Sequence, residues 1–216
     1  MMRSPSAREL LAVWEQGYGR KPARKALLLL RAAWPDVEIA DLAAWRVGQR
    51  DSRLLSLREH LFGSRFNSVV DCSRCGERLE LSFQTSDVYS AEHGDPADAL
   101  SVSAAGYDVR FPLPNAGDLL AIDPDAGQER GQQQLLQRCL IEVKQDGKAQ
   151  PAGQLPVEVV SVMAERMAKA DPQADVGIDL ACPACEHQWP VTFDVVTYLW
   201  EELNIWAIRV LHEVHE

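Results

Sequence analysis

The feature that most constrains this chain is a pair of short cysteine motifs set far apart, Cys72-Ser-Arg-Cys75-Gly76 and Cys182-Pro-Ala-Cys185, with the 106 residues 76–181 between them. Strand-like residues flank both. Arg78 to Phe83 alternates with period two after the first motif, Val176 to Leu180 feeds the second, and Gln188 to Phe193 leaves it. Aligned on their cysteines, the two stretches form a loose internal repeat in which Leu81 matches Val191 and Phe83 matches Phe193. Strand, two-residue turn and strand is the layout of a zinc knuckle, which aims two thiolates at one point. Two facing knuckles supply four sulfurs in a tetrahedron, which suits Zn2+ and leaves no open position for a substrate water. The sequence therefore predicts one structural zinc ion on Cys72, Cys75, Cys182 and Cys185. Iron of the rubredoxin type uses the same ligands, and zinc is preferred only on the generality of such ribbons. Thioredoxin-type redox pairs need a helix after the motif, whereas strands follow both motifs here. The wide separation is affordable because loop-closure entropy grows only logarithmically with length.

Elsewhere the patterning is mostly helical. Ser6 with Glu9 makes a capping box for a helix to Gln16, and Pro22 opens a second that runs to Ala33 before Trp34-Pro35. Further helical pattern extends from Asp36 to Phe62. Between the cysteine motifs, Thr85 to Ala99 is turn-rich and acidic, and short strands are expected at Leu100 to Ser103 and Tyr107 to Leu113. Helices are expected at Gly117 to Ile122, at Gln128 to Val143 and at Val157 to Ala170. Asp194 caps a final helix from Val195 to about Val214, apolar on more than one face, which implies burial on several sides or a partner surface. The expected class is α+β. Its parts are a helical unit (1–65), a small antiparallel zinc-ribbon sheet split between 66–84 and 174–194, a mostly helical insert (85–173) and a C-terminal helix (195–216).

Charge is uneven. Residues 1–65 carry 12 Lys and Arg against 7 Asp and Glu, while the remainder carries 10 against 25, in a chain of net charge −10. A basic end on an acidic body favours a protein partner over nucleic acid. No apolar run is long enough to span a bilayer and the N-terminus lacks an apolar signal core, so a cytoplasmic, membrane-free protein is expected. No phosphate loop, nucleophile elbow or supported carboxylate pair occurs, so no enzyme is expected. Cys139, among Leu135, Leu136 and Leu140, reads as a buried structural cysteine. His187 is surplus to a four-cysteine shell, and His212 and His215 lack the spacing of a zinc-peptidase helix.

Three stretches then carry a resemblance: Glu9-Leu-Leu-Ala-Val-Trp14-Glu15; the run from Gly48 to Gly63 that leads into Cys72-Ser-Arg-Cys75-Gly-Glu-Arg-Leu-Glu-Leu81; and Cys182-Pro-Ala-Cys185 before a last helix ending in Leu211-His-Glu-Val-His215. Together they resemble proteins encoded with contractile phage tails and phage-tail-like injection systems, related to the T-even-type baseplate family. The resemblance implies a non-enzymatic adaptor, assembly chaperone or minor baseplate subunit, with baseplate, spike or tube proteins as partners. The basic helical end and the helix bearing Trp200 and Trp206 are then the expected contact surfaces. The alternative is a zinc-ribbon nucleic-acid binder using Arg50, Arg53, Arg58, Arg65, Arg74 and Arg78.

Overall fold

The computed structural model describes residues 2–90, 99–123, 125, 127–151, 153 and 155–215. The chain opens with α1 (Ala7–Gly17), α2 (Pro22–Ala33), α3 (Ile39–Ala44) and α4 (Val47–Phe62), then forms the hairpin β1 (Arg65–Asp71) and β2 (Arg78–Gln84), followed by the one-turn helix α5 (Thr85–Val88). Next come β3 (Leu100–Ala104), β4 (Tyr107–Phe111), α6 (Ala116–Leu120), α7 (Gly127–Arg138), β5 (Glu142–Gln145), β6 (Lys148–Ala149) and α8 (Val157–Ala170). A second hairpin, β7 (Gly177–Ala181) and β8 (Gln188–Thr192), leads into α9 (Val195–His215). The class is α+β, as expected. Of the turn-rich stretch expected at 85–99, residues 91–98 lie outside the described residues.

Two compact units divide these elements. One comprises Met1–Glu38, Asp51–Ala91 and Asp175–Glu216; the other comprises Ile39–Arg50 and Glu92–Ala174. Within the first, α1 is started by the expected capping box. The Ser6 backbone N–H donates to the Glu9 carboxylate at 2.8 Å, and Arg3 clamps the same carboxylate at 2.6 and 3.0 Å. Arg3 above all, then Ser6, holds the Glu9 carboxyl down at about 2. α1 and α2 pack on α9 through Leu10, Val13, Ala26, Leu27, Leu30, Leu199, Leu203 and Ala207, all buried. Trp14 Nε1 donates to Asn204 Oδ1 at 2.9 Å. The apolar width of α9 is thus mostly core. Trp200 is buried, so it is no free contact surface, whereas Ile205 and Ile208 remain exposed at 67% and 44%.

The second unit is built on a four-stranded antiparallel sheet in the order β3-β4-β5-β6. Leu100, Val102, Val109, Phe111, Leu113 and Val143 from the sheet region meet Val159 and Met163 of α8 in its core. The helix expected from Gln128 to Val143 stops at Arg138, and residues 142–149 form a hairpin instead. The reason is local. Asp146 and Gly147 both take positive φ, 49° and 78°, as an Asp-Gly two-residue hairpin turn requires, and Val143 alternates into the sheet core.

Close packing fixes one glycine. A Cβ on Gly17 would sit 2.3 Å from Cη2 of the buried Trp200 ring, which has no room to swing away. Gly17→Ala should therefore lower stability by about 1–3 kcal/mol, the usual range for overpacking, as followed by denaturant melts. An unchanged midpoint would show that α1 and α9 do not meet this closely.

Candidate metal centre

Both cysteine motifs are tips of hairpins, and the tips are built alike. β1 and β2 pair without interruption from Arg65 opposite Gln84 to Asp71 opposite Arg78, and β7 pairs with β8 from Gly177 opposite Thr192 to Ala181 opposite Gln188. At the first tip the Cys72 amide donates to Glu77 O at 2.8 Å and the Gly76 amide donates to Cys72 O at 2.9 Å. At the second, Cys182 donates to His187 O at 2.9 Å and Glu186 donates to Cys182 O at 2.9 Å. The tight turn needs a left-handed residue after the second cysteine. Gly76 supplies it at φ 75°, and Glu186 adopts it at φ 56° despite its side chain.

Facing each other, the tips bring all four sulfurs within 4.8 Å of one another. Cys72 Sγ lies 3.8 Å from Cys185 Sγ, and Cys75 Sγ lies 3.6 Å from Cys182 Sγ. A tetrahedral zinc with Zn–S of about 2.3 Å has S···S edges of about 3.8 Å, whereas a disulfide needs about 2.05 Å. The spacing therefore fits four ligands around one ion, and all four cysteines are free. Cys72 and Cys182 are buried, Cys185 is half-buried and Cys75 is exposed, so each tip gives one inner and one outer sulfur. Leu79, Val70, Leu81 and Trp189 pack around the inner pair.

Electrostatics point the same way. Burial pushes the Cys72 thiol up, but the amides of Cys75 and Arg74 and the thiols of Cys75 and Cys182 outweigh it and hold the group down at about 7. At Cys75 the Glu77 amide pulls down, yet the Cys185 thiol, burial and the thiols of Cys182 and Cys72 push it up to about 12. A metal ion binds such a site through thiolates, so its affinity falls as pH drops and protons compete for the sulfurs.

Beneath the tips, aromatic rings tie the hairpins at their bases. Phe66 and Phe83 stack at 4.9 Å, and Phe193 meets each edge-on, at 5.3 and 5.5 Å. Under Phe66 lies Arg58, which the alternative sequence reading placed in a nucleic-acid surface. It is instead 1% exposed, with its guanidinium 3.8 Å from the Phe66 ring centre. Arg58 donates to both Glu202 oxygens at 2.6 and 2.8 Å, and to the carbonyls of Gly63 and Arg65 at 2.7 Å each. Its charge fastens α4, the start of β1 and α9 to one another. The signal was its position, since Leu54, Leu55 and Arg58 share one helix face. Arg50 is also buried, at 6% exposure, while Arg65, Arg74 and Arg78 are exposed.

The remaining candidates stand apart from the sulfurs. Cys139 is buried in the other unit, and its thiol is pushed up to about 11, chiefly by burial and then by Asp118, against the opposing Arg138. It is a structural thiol with little thiolate to react. His187 stacks on Trp189 at 5.3 Å. His212 is exposed, and the side chain of His215 lies outside the described residues.

Two substitutions test this geometry. Glu186→Gly relieves the left-handed strain and should stabilise by about 1 kcal/mol, read as a higher melting temperature; a lower one would mean the turn does not need that conformation. Arg58→Met leaves Glu202 without its partner and should cost about 3 kcal/mol or more, whereas a loss under about 0.5 kcal/mol, the range of ordinary surface positions, would place Arg58 at the surface.

Among known protein families, the one described as T4 bacteriophage base plate protein matches residues 38–199. The matched stretch takes in the run from Gly48 to Gly63 and both cysteine motifs, whereas the other stretches of the resemblance, Glu9–Glu15 and Leu211–His215, lie outside it. No curated protein and no solved structure matches the chain.

Proposed function

The chain belongs to the T4 bacteriophage base plate protein family, and from that membership we propose that it works as a non-enzymatic adaptor or assembly chaperone of a contractile tail or injection-system baseplate, folded around one structural zinc ion. Family membership makes it a structural phage base plate protein. The single observation that carries the finer reading is the closed four-sulfur cage, whose ligands come from hairpins on either side of a long insertion. Cys72, Cys75, Cys182 and Cys185 would hold the ion, filling a tetrahedral shell and giving it a fastening role instead of a reactive one. The partners proposed are other baseplate, spike or tube proteins, met in the cytoplasm during assembly. Among the described residues no helix is long and apolar enough to cross a membrane.

Support for a protein-directed role also comes from the arginines. Of the six that a nucleic-acid reading would use, Arg58 and Arg50 are buried and cannot meet a phosphate backbone.

Because a structural zinc contributes folding free energy directly, chelation should unfold the first unit cooperatively, followed by circular dichroism. Cys72→Ser and Cys185→Ser should lower metal content and melting temperature alike, although they lie on different hairpins. Full metal content in either variant would sink the shared site. For the role itself, the tagged chain should recover a baseplate, spike or tube protein from cells expressing the neighbouring tail genes, and recovery of none of these would contradict it.

A further inference from the structure

Glu201, Ile205, Ile208 and His212 of α9 are all exposed, and their spacings of four, three and four residues set them along one side of the helix. The opposite side bears Leu199, Leu203 and Ala207, buried where α9 meets α1 and α2. Spacings of four, three and four are those of the a and d positions of paired helices, whose side chains meet a second helix along one seam. Leu211, also exposed, widens the apolar part on one flank, and Arg209 lies on the other. From residue 201 to 212 the stripe is about 17 Å long.

The fold itself does not call for two isoleucines there. A β-branched side chain loses rotamer freedom in a helix, so an exposed helical position gains nothing from it. Among the described residues no hydrogen bond or ion pair holds Glu201 or His212. The order of the four residues says what covers them. An acid stands at the N-terminal end, a base at the C-terminal end and the isoleucines between, evenly placed about a midpoint between Trp206 and Ala207. A two-fold contact pairs residue i with j and j with i, so it needs opposite characters at the two ends of a stripe. An antiparallel second copy meets that need, whereas a parallel one sets Glu201 against Glu201. An unrelated partner imposes no such relation between the ends.

We propose that the α9 stripe of Glu201, Ile205, Ile208 and His212 joins two copies of this chain as an antiparallel helix pair. Ile205 of each copy packs on Ile208 of the other, and each His212 imidazole donates to the Glu201 carboxylate opposite. Arg209 adds a fixed positive charge to the same half of the stripe as His212. The chain's net charge of −10 opposes self-association, but at physiological salt exposed charges act over only about 8 Å, so contacts at the seam decide. A seam this short makes a small interface, and the association is weak, roughly micromolar. The pairing stands independently of the base plate role.

Sedimentation velocity on the purified full chain, supplied with zinc, tests it over a concentration series that reaches the high micromolar range. Wild type should pass from monomer to dimer as concentration rises. Ile205→Gln/Ile208→Gln should weaken the dimer by about tenfold or more. His212→Glu, which sets carboxylate against carboxylate, should also weaken it by about tenfold or more, and Glu201→Lys/His212→Glu should bring it back to within about threefold of wild type. All four side chains are exposed, so the variants should melt as wild type does, and the charge series tests the seam even where replacing the isoleucines disturbs the helix. A wild type that stays monomeric throughout overturns the proposal. So does a dimer that the isoleucine variant leaves intact, or a charge-swapped double variant as weak as His212→Glu alone. Growth past the dimer into open-ended assemblies contradicts the two-fold closure.

Discussion

Two hairpins whose cysteine motifs lie 106 residues apart in the sequence bring four thiols within 4.8 Å of one another. Two backbone turns with the same hydrogen bonds aim the sulfurs, and the Phe66, Phe83 and Phe193 rings hold the hairpin bases. The hairpins belong to a unit that is discontinuous in sequence, in which residues 51–91 and 175–216 join 1–38. Arg58 provides a second fastening within the same unit, linking α4, β1 and α9 through Glu202 and two carbonyls. A buried ion pair adds little net stability, but it penalises any arrangement that separates its members.

The cysteine site was legible because its ligands are local. Each pair lies within four residues, so the turn that orients it is encoded beside it, and only the meeting of the two tips required tertiary structure. The capping box at Ser6 and Glu9 and the proline start of α2 were legible for the same reason. Arg58 was not, since a charge on an amphipathic helix is ordinarily solvated, and only its alignment with Leu54 and Leu55 marked it as inward. The segment after Arg138 misled because Leu140, Ile141 and Val143 continue an apolar run that fits a helix. The Asp146-Gly147 turn outweighed that run by giving it a hairpin. Trp200 drew attention as a large aromatic on a helix of apparent contact surface, yet Gly17 leaves the space that receives its ring.

A fold fastened in this way presents its surfaces rigidly. α9 hides Leu199, Trp200, Leu203 and Ala207 against α1 and α2, and leaves Ile205 and Ile208 outward. This is the arrangement of a member of the T4 bacteriophage base plate protein family. Four sulfurs would fill the tetrahedral shell of one ion, and the hairpins that bear them belong to the same unit as residues 1–38 and 175–216.

The most direct measurement is X-ray absorption at the zinc edge on the purified full chain, combined with metal analysis. One zinc per chain with four sulfur neighbours at about 2.3 Å is the predicted result. Nitrogen or oxygen ligands in the shell, or a metal-free chain that melts as cooperatively as the loaded one, would contradict the four-cysteine clasp.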